Sequence, residues 1–163
     1  MSDTTATDHL SQEVDALLLT LATDRLQLLL PLAAVAEILE DAPLPAPAHT
    51  DHPWLLGWLG WRGCDIPLLT YEGVAGSAAP ALDNHRVAVV NAIGPAAGQG
   101  FYGLVIRELP RPLRLSADSG LRALDVEAPR GAALVVEVRG EPALIPDFNL
   151  LEQLVVAARQ DRG

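Results

Sequence analysis

Short apolar runs separated by turn-forming residues recur along the chain, and this pattern limits the fold more than any other feature of the sequence. Runs at 17–21 and 26–30 flank the polar stretch 22–25, which predicts a hairpin. Many short strands with few helices favour a mostly β barrel or sandwich, and the strands could form two small barrels before and after residue 85. Further strands are predicted at residues 64–71, 86–92, 101–108, 132–138 and 143–146.

Turn formers and breakers separate these strands. Residues 94–100 are rich in glycine and predict a loop, and Arg139-Gly140 predicts a tight turn between the last two strands. Pro67 lies inside a predicted strand but has no amide N–H to donate, so we expect it at a sheet edge or a bulge.

The first helical pattern follows the first hairpin. Pro31 suits the first turn of a helix, and an apolar stripe at helical spacing comes after it. This arrangement predicts a short helix with Glu37 and Glu40 away from the apolar face. The stripe consists of Leu32, Val35, Ala36 and Leu39.

Residues 54–61 hold all three tryptophans of the chain. They are predicted to form a short helix or turn, in which Gly57 and Gly60 are weak points. Spacings of four and three would place the tryptophans on one helical face, where core packing is the default over anchoring a partner. The three residues are Trp54, Trp58 and Trp61.

A second helix is predicted at the end of the chain. Asn149 with Glu152 resembles a capping box, and Asp147 also suits a helix cap better than a catalytic acid. Arg159 and Arg162 suit the negative end of this helix. The expected organisation is a tail at 1–13, one domain at 14–158 and a tail at 159–163. The apolar stripe of the helix is Leu150, Leu151, Leu154, Val155 and Ala158.

Composition and charge exclude several classes of protein. A chain of 163 residues can bury a self-sufficient core. Charges interrupt every early apolar run before it reaches the roughly 18 residues of a membrane span, and the N-terminus lacks a signal-peptide pattern. We therefore expect a cytoplasmic protein without direct membrane insertion. A single cysteine excludes an internal disulfide, and a net charge of −10 opposes nucleic-acid binding and favours a monomer when the protein is alone.

No residue pattern identifies a catalytic, cofactor or metal site, and we expect none. Ser77 and Ser116 lie in predicted loops without the G-x-S-x-G context of a nucleophile elbow. His49 and His52 lie in a proline-rich loop without a third fixed ligand for a metal. Protein partners are the remaining class of ligand.

Four motifs occur in order along the chain: V-x-E-I at 35–38, G-x-x-x-x-R-G-x-x-I-P-L at 57–68, G-L-V-I-R at 103–107 and I-P-D-F at 145–148. In this order and spacing they resemble the CheW family of chemosensory coupling proteins, over residues 15–158. The R-G pair followed by a proline-containing apolar strand is the most specific of the four.

The resemblance implies a pair of SH3-like five-stranded barrels around a shared core. It also implies a scaffold without catalytic activity that links the regulatory domain of a CheA-type histidine kinase to the cytoplasmic tip of chemoreceptors. Trp61 stands where the family often has leucine, Pro146-Asp147 where it often has leucine-aspartate, and lysine is absent. These departures indicate a divergent coupling protein, such as an auxiliary one in a pilus-motility pathway. The alternatives are an interaction module outside chemotaxis and an unrecognised hydrolase.

Arg62 and Glu37 match the motif arginine and the motif glutamate of the family, and the resemblance implies that they form a hydrogen-bonded pair. The residues alone favour a different role, in which Arg62 stacks on Trp58 or Trp61 and closes a turn. We expect partners to bind apolar surface between or at the ends of the two barrels. The predicted partner-binding residues are Val35, Glu37, Leu39, Arg62, Gly63, Val105 and Leu109.

Overall fold

The computed structural model describes residues 13–21, 26–45, 52–77, 82, 84–93, 100–116 and 120–162. Within these residues the chain forms eleven strands, which confirms the predicted mostly β fold. The helical segments are a 3-10 helix at Leu32–Ala34 and the helices α1 (Tyr71–Val74) and α2 (Phe148–Arg162). The strands are β1 (Val14–Thr20), β2 (Gln27–Pro31), β3 (Val35–Leu39), β4 (Leu55–Trp61), β5 (Cys64–Leu69), β6 (Arg86–Asn91), β7 (Phe101–Ile106), β8 (Arg111–Leu115), β9 (Leu121–Ala123), β10 (Ala132–Val138) and β11 (Glu141–Pro146).

The strands form two sheets that draw on different parts of the chain. The six-stranded sheet has the order β8-β1-β2-β11-β10-β9, and the five-stranded sheet has the order β3-β6-β7-β5-β4. The six-stranded sheet therefore joins the first hairpin to the last four strands, so a division near residue 85 does not separate the two sheets. One sheet has the five strands that the resemblance implies, and the other has one more.

The first hairpin is present where the two apolar runs predict it. β1 and β2 pair antiparallel, with Leu18 opposite Leu29. Leu17 and Leu19 enter the main core, whereas Leu18 enters a separate cluster within the six-stranded sheet. Burial on both faces explains why the run is unbroken rather than alternating. The predicted turn at 22–25 lies outside the described residues.

The other predicted strands are confirmed as β5, β6, β7, β10 and β11. Arg139 and Gly140 join β10 to β11, and their φ angles of 50° and 85° suit a two-residue hairpin turn. β5 is not an edge strand, because it lies between β4 and β7. Pro67 is tolerated there because pairing with β7 starts one residue later, at Leu68. Most of the predicted loop at 94–100 lies outside the described residues.

The helix predicted after Pro31 is present only as one short turn, and its predicted extension through Leu39 is wrong. The 3-10 helix covers only three residues, and β3 follows it directly and pairs antiparallel with β6. The β-branched residues Val35 and Ile38 suit a strand, and the β6 pairing satisfies backbone groups that a helix would have bonded locally. β3 is half-buried along most of its length and shows no strict alternation, which is why its apolar spacing imitated a helix.

The segment with the three tryptophans is a strand, so the helix or turn predicted there is also wrong. β4 alternates buried and more exposed residues with the period of two that a strand imposes. The three tryptophans consequently do not share one face. Trp61 enters a core cluster within the five-stranded sheet, whereas Trp58 packs against the main core.

The C-terminal helix is confirmed, but its start differs from the predicted capping box. α2 begins at Phe148, and the Asp147 side chain accepts a hydrogen bond of 3.1 Å from the Leu150 backbone N–H, so Asp147 is the cap. Glu152 is buried. The helix continues to Arg162, so 159–162 is not a tail.

The main core joins residues of both sheets to α2. Tyr71 and Tyr102 are fully buried in it. Burial raises the pKa of both phenols above their ordinary value, and the negative charges of Asp147 near Tyr71 and Glu152 near Tyr102 act in the same direction. Among the described helices, none combines the length and the apolar character that crossing a membrane requires.

Candidate partner-binding site

Arg62 and Gly63 form the two-residue turn between β4 and β5. Trp61 pairs with Cys64 across the hairpin, and the φ angles of Arg62 and Gly63 are 48° and 76°. Positive φ at both central residues matches the twist of the flanking strands. The Gly63 position has open space where a Cβ would stand, so its backbone conformation, not crowding, explains the glycine. The turn places the Arg62 side chain at an exposed tip.

Glu37 on β3 reaches this hairpin. Its Oε2 accepts a hydrogen bond of 2.7 Å from Trp61 Nε1 and lies 3.3 Å from an Arg62 guanidinium nitrogen. The Arg62 guanidinium carbon also lies 4.7 Å from the centre of the Trp61 ring. The two roles considered for Arg62, a pair with Glu37 and a stack on tryptophan in a turn, are therefore present together. We call Glu37, Trp61, Arg62 and Gly63 the hairpin site.

The two bonds to Glu37 differ in their contribution to stability. The Arg62 side chain is 67% exposed and the Glu37 side chain 38% exposed, so solvent screens their ion pair to about 0–1 kcal/mol. Trp61 is only 8% exposed, and its hydrogen bond to Glu37 contributes about 1 kcal/mol. The ion pair therefore mainly fixes the direction of the guanidinium, and the indole fixes Glu37.

Trp61 itself has a rigid support. Its ring meets Phe101 of β7 edge to face, with 4.7 Å between the ring centres. It also belongs to the core cluster within the five-stranded sheet, together with Leu59 and Ile66. The exposed guanidinium of Arg62 thus lies over the Trp61 ring, which is itself packed in the core cluster.

A groove of about 400 Å³ lies beside the hairpin site. Leu39, Leu59 and Trp61 supply apolar lining, and Arg62 stands at the same groove. Leu39 was predicted as a partner-binding residue, and the structure brings it together with Arg62 in this groove.

The remaining predicted residues are placed differently. Val35 is half-buried and packs against the main core, and Leu109 is exposed after the end of β7. Val105 is fully buried in the cluster within the five-stranded sheet, so it cannot belong to an exposed partner-binding surface. β7 is a central strand, paired with β6 and β5, so its side chains enter a core on each face.

A second groove, of about 370 Å³, lies in the six-stranded sheet and was not predicted. It lies where the two edge strands of that sheet contribute Leu115 of β8 and Leu121 of β9. Val14, which is 55% exposed, and Leu121, which is 37% exposed, leave apolar surface open. We call this the apolar groove. Its other lining residues include Leu29, Ile145 and Phe148.

The two joined sheets and the C-terminal helix define a class of small, mostly β domain with an arginine hairpin at its surface. The CheW-like domain model matches residues 15–155, so the chain belongs to the CheW-like domain family. Its structure is similar to the crystal structure of the scaffolding protein TtCheW from Thermoanaerobacter tengcongensis, with a TM-score of 0.65 and 14% sequence identity. The match covers 83% of this chain and 90% of that chain. No curated protein matches the sequence.

Proposed function

We propose that this protein is a non-catalytic scaffold that couples chemoreceptors to a CheA-type histidine kinase in a cytoplasmic chemosensory array. Membership of the CheW-like domain family supports the coupling role. The observation that carries the proposal is the hairpin site, where Glu37 and Trp61 hold an exposed guanidinium in one direction. A pre-oriented donor group loses less freedom on binding than a mobile side chain.

The chemistry of the hairpin site suits a protein partner. A guanidinium has five N–H donors in a planar fork, and its closest contact to Glu37 involves one nitrogen of Arg62. The other donors can bind carbonyl or carboxylate oxygens of a partner helix. Leu39, which is half-buried in the adjacent groove, adds apolar contact area for the same partner.

The apolar groove supplies the second surface that a coupling protein needs. Its lining is almost entirely hydrophobic, whereas the hairpin site is charged. Two surfaces of different chemistry can hold two partners at once, and we assign one to the kinase regulatory domain and the other to the receptor tip. The protein is a monomer before assembly, because its net charge of −10 opposes self-association.

Trp61 supports a divergent, auxiliary role of the kind suggested by the sequence. The resemblance leads us to expect a leucine there, and a leucine side chain has no N–H to donate to Glu37. The indole adds the 2.7 Å hydrogen bond and the stack on Arg62. An auxiliary coupling protein of a pilus-motility pathway with its own partners would have reason to fix Arg62 in this additional way.

Ternary assembly with a kinase regulatory domain and a receptor fragment tests the proposal. Arg62→Ala should weaken assembly about 30-fold, because the partner's acceptors lose a desolvated charged donor worth about 2 kcal/mol. Its melting temperature should stay near that of the wild type. The matched control is Arg122→Ala, because the Arg122–Glu137 pair has nearly the same exposure, 68% and 37%. Normal assembly by Arg62→Ala would end the case for this site.

A further inference from the structure

The last turn of α2 contacts the β4–β5 hairpin, whose turn carries Arg62, on the side of Trp58 and Asp65. An Arg162 guanidinium nitrogen lies 3.0 Å from Asp65 Oδ2 on β5, and the Arg162 guanidinium carbon lies 4.2 Å from the centre of the Trp58 ring on β4. A single side chain therefore contacts both strands of the hairpin. Asp65 lies three residues from Arg62, and it pairs across the hairpin with Gly60.

Two further contacts of the same turn reinforce this attachment. Arg159 donates a hydrogen bond of 3.4 Å to the Phe101 backbone carbonyl, and its guanidinium carbon lies 5.7 Å from the Trp58 ring centre. Asp161 pairs with His52, with 2.5 Å between Oδ2 and Nε2, just before β4 begins. Arg159, Asp161 and Arg162 are the C-terminal brace.

The C-terminal brace connects to the hairpin site through Phe101. Arg159 binds the backbone of Phe101, and the ring of Phe101 packs edge to face against Trp61 at 4.7 Å. Trp61 in turn binds Glu37 and underlies the Arg62 guanidinium. The C-terminal brace therefore contacts the hairpin directly at Trp58 and Asp65. It also contacts Phe101, against which the Trp61 ring packs.

We propose that the C-terminal brace is a positioning element that sets the orientation of the hairpin site, with Arg162 as its principal positioning residue. The proposal deepens the proposed function and rests on it only for the effect on partners. The Arg162–Asp65 and Asp161–His52 ion pairs are exposed, and the Arg159 hydrogen bond is half-buried, so each contributes little to the free energy of unfolding. Their effect is to restrict the geometry of β4, the edge strand that pairs only with β5 within the five-stranded sheet.

The indole N–H of Trp61 reports on the hairpin site without any partner. The chain has three tryptophans and hence three indole N–H resonances, which Trp→Phe variants assign in ¹⁵N-labelled full-length protein. In Arg162→Ala we expect the Trp61 resonance to shift and its hydrogen exchange to become about threefold faster, with an unchanged melting temperature. Arg162→Lys should restore part of the wild-type signal, because lysine keeps the charge facing Asp65 but lacks the planar guanidinium that lies over Trp58.

Asp65→Asn removes the negative charge from the ion pair between Arg162 and Asp65. It should move the Trp61 resonance in the same direction as Arg162→Ala, whereas Arg122→Ala in the six-stranded sheet should leave it unmoved. If the Trp61 resonance and exchange rate stay at wild-type values in both Arg162→Ala and Asp65→Asn, the brace does not position the site and the proposal is overturned.

Partner assembly separates this proposal from the proposed function. If both hold, Arg162→Ala weakens ternary assembly about threefold, one tenth of the effect of Arg62→Ala. If Arg62→Ala assembles normally, the proposed function fails, and a shifted Trp61 resonance in Arg162→Ala still supports the brace. If Arg62→Ala blocks assembly while Arg162→Ala changes neither assembly nor the indole signal, the proposed function stands and the brace is rejected.

Discussion

The two sheets of the protein present opposite kinds of surface. The inside of the five-stranded sheet is filled by fully buried residues such as Val87, Val89 and Val105, and its exposed feature is the charged hairpin site. The six-stranded sheet has its own buried cluster, which includes Ala16, Val136 and Ala143, and leaves the apolar groove of about 370 Å³ open. The five-stranded sheet thus presents oriented hydrogen-bond donors supported by packed residues. The six-stranded sheet presents apolar surface, whose contacts do not depend on direction.

This difference suggests how one small domain can hold two partners. Charged donors with fixed geometry give specificity and orientation, because a misplaced acceptor gains little and leaves the donor unpaired. Apolar area gives affinity and tolerates changes of the partner's shape. Variants that change one sheet and leave the other intact test whether the two surfaces have different tasks.

Alkaline unfolding gives the largest expected effect and tests whether the two sheets share one core. The buried phenols of Tyr71 and Tyr102 have raised pKa values, so they stay protonated in the folded state while the unfolded chain ionises above about pH 10. The unfolded state then binds fewer protons, so the free energy of unfolding is unaffected below pH 10 and falls above it. Well above pH 10 the slope approaches about 1.4 kcal/mol per pH unit for each phenol for as long as both stay protonated in the folded state.

Two probes report the two sheets separately in this experiment. All three tryptophans lie in or beside β4, so their fluorescence follows the five-stranded sheet, whereas far-ultraviolet circular dichroism follows both sheets. We expect coincident transitions, and an earlier fluorescence change would show that the sheets unfold independently. Tyr102→Phe is the control, because the buried Tyr102 hydroxyl has no hydrogen-bond partner among the described residues, and it should halve the slope.

Val105→Ala sharpens the contrast within the five-stranded sheet. Val105 is fully buried in a filled cluster, so the variant should lower the free energy of unfolding by about 2 kcal/mol through lost packing and a residual cavity. Chemical denaturation measures this loss. The control is Leu109→Ala, which is 53% exposed and should change stability by less than about 0.5 kcal/mol. A stable Val105→Ala protein with impaired assembly would restore Val105 as a contact residue.

The sequence predicts strands well where they are buried on both faces and poorly where they are half-buried. β1, β2 and β6 show unbroken apolar runs and were located correctly. β3 and β4 are predicted as helical segments, because β3 lacks a strict alternation and the spacing of the tryptophans in and beside β4 also fits a helix. Only pairing with β6 and β5 decides between the two structures. β8 and β9 carry few buried residues and gave no usable signal.

The candidate site divides in the same way. Arg62, Gly63 and Glu37 are predicted through their match to motif positions of the family, and the positive φ of Gly63 gives a physical reason for the glycine alone. The hydrogen bond from Trp61 to Glu37 could not be predicted from the sequence. It joins β4 to β3, the two edge strands of the five-stranded sheet, and these strands are distant along the chain. The apolar groove also escaped prediction, because it depends on how β8 and β9 approach each other.

Leu121→Glu tests the six-stranded side of the comparison. A carboxylate at this 37% exposed position enters the apolar groove and should weaken binding of one partner about tenfold, because that partner must desolvate the charge. Pairwise capture with each partner separately measures the effect. The control is Val126→Glu, which changes an apolar residue that is 60% exposed. Equal loss of both partners would show that the two surfaces are not used separately.

Glu37→Gln gives the smallest expected effect and isolates the ion pair from the hydrogen bond in the hairpin site. The amide oxygen of glutamine can still accept from Trp61 Nε1, whereas the charge facing Arg62 is lost, so the free energy of unfolding should change by less than about 0.5 kcal/mol. Ternary assembly should weaken only about threefold, since the stack on Trp61 still restrains Arg62. The control is Glu137→Gln, whose carboxylate pairs with Arg122 at nearly the same exposure. A loss as large as that of Arg62→Ala would mean that Glu37 contacts the partner directly, and no loss at all would mean that the tryptophan stack alone orients the guanidinium.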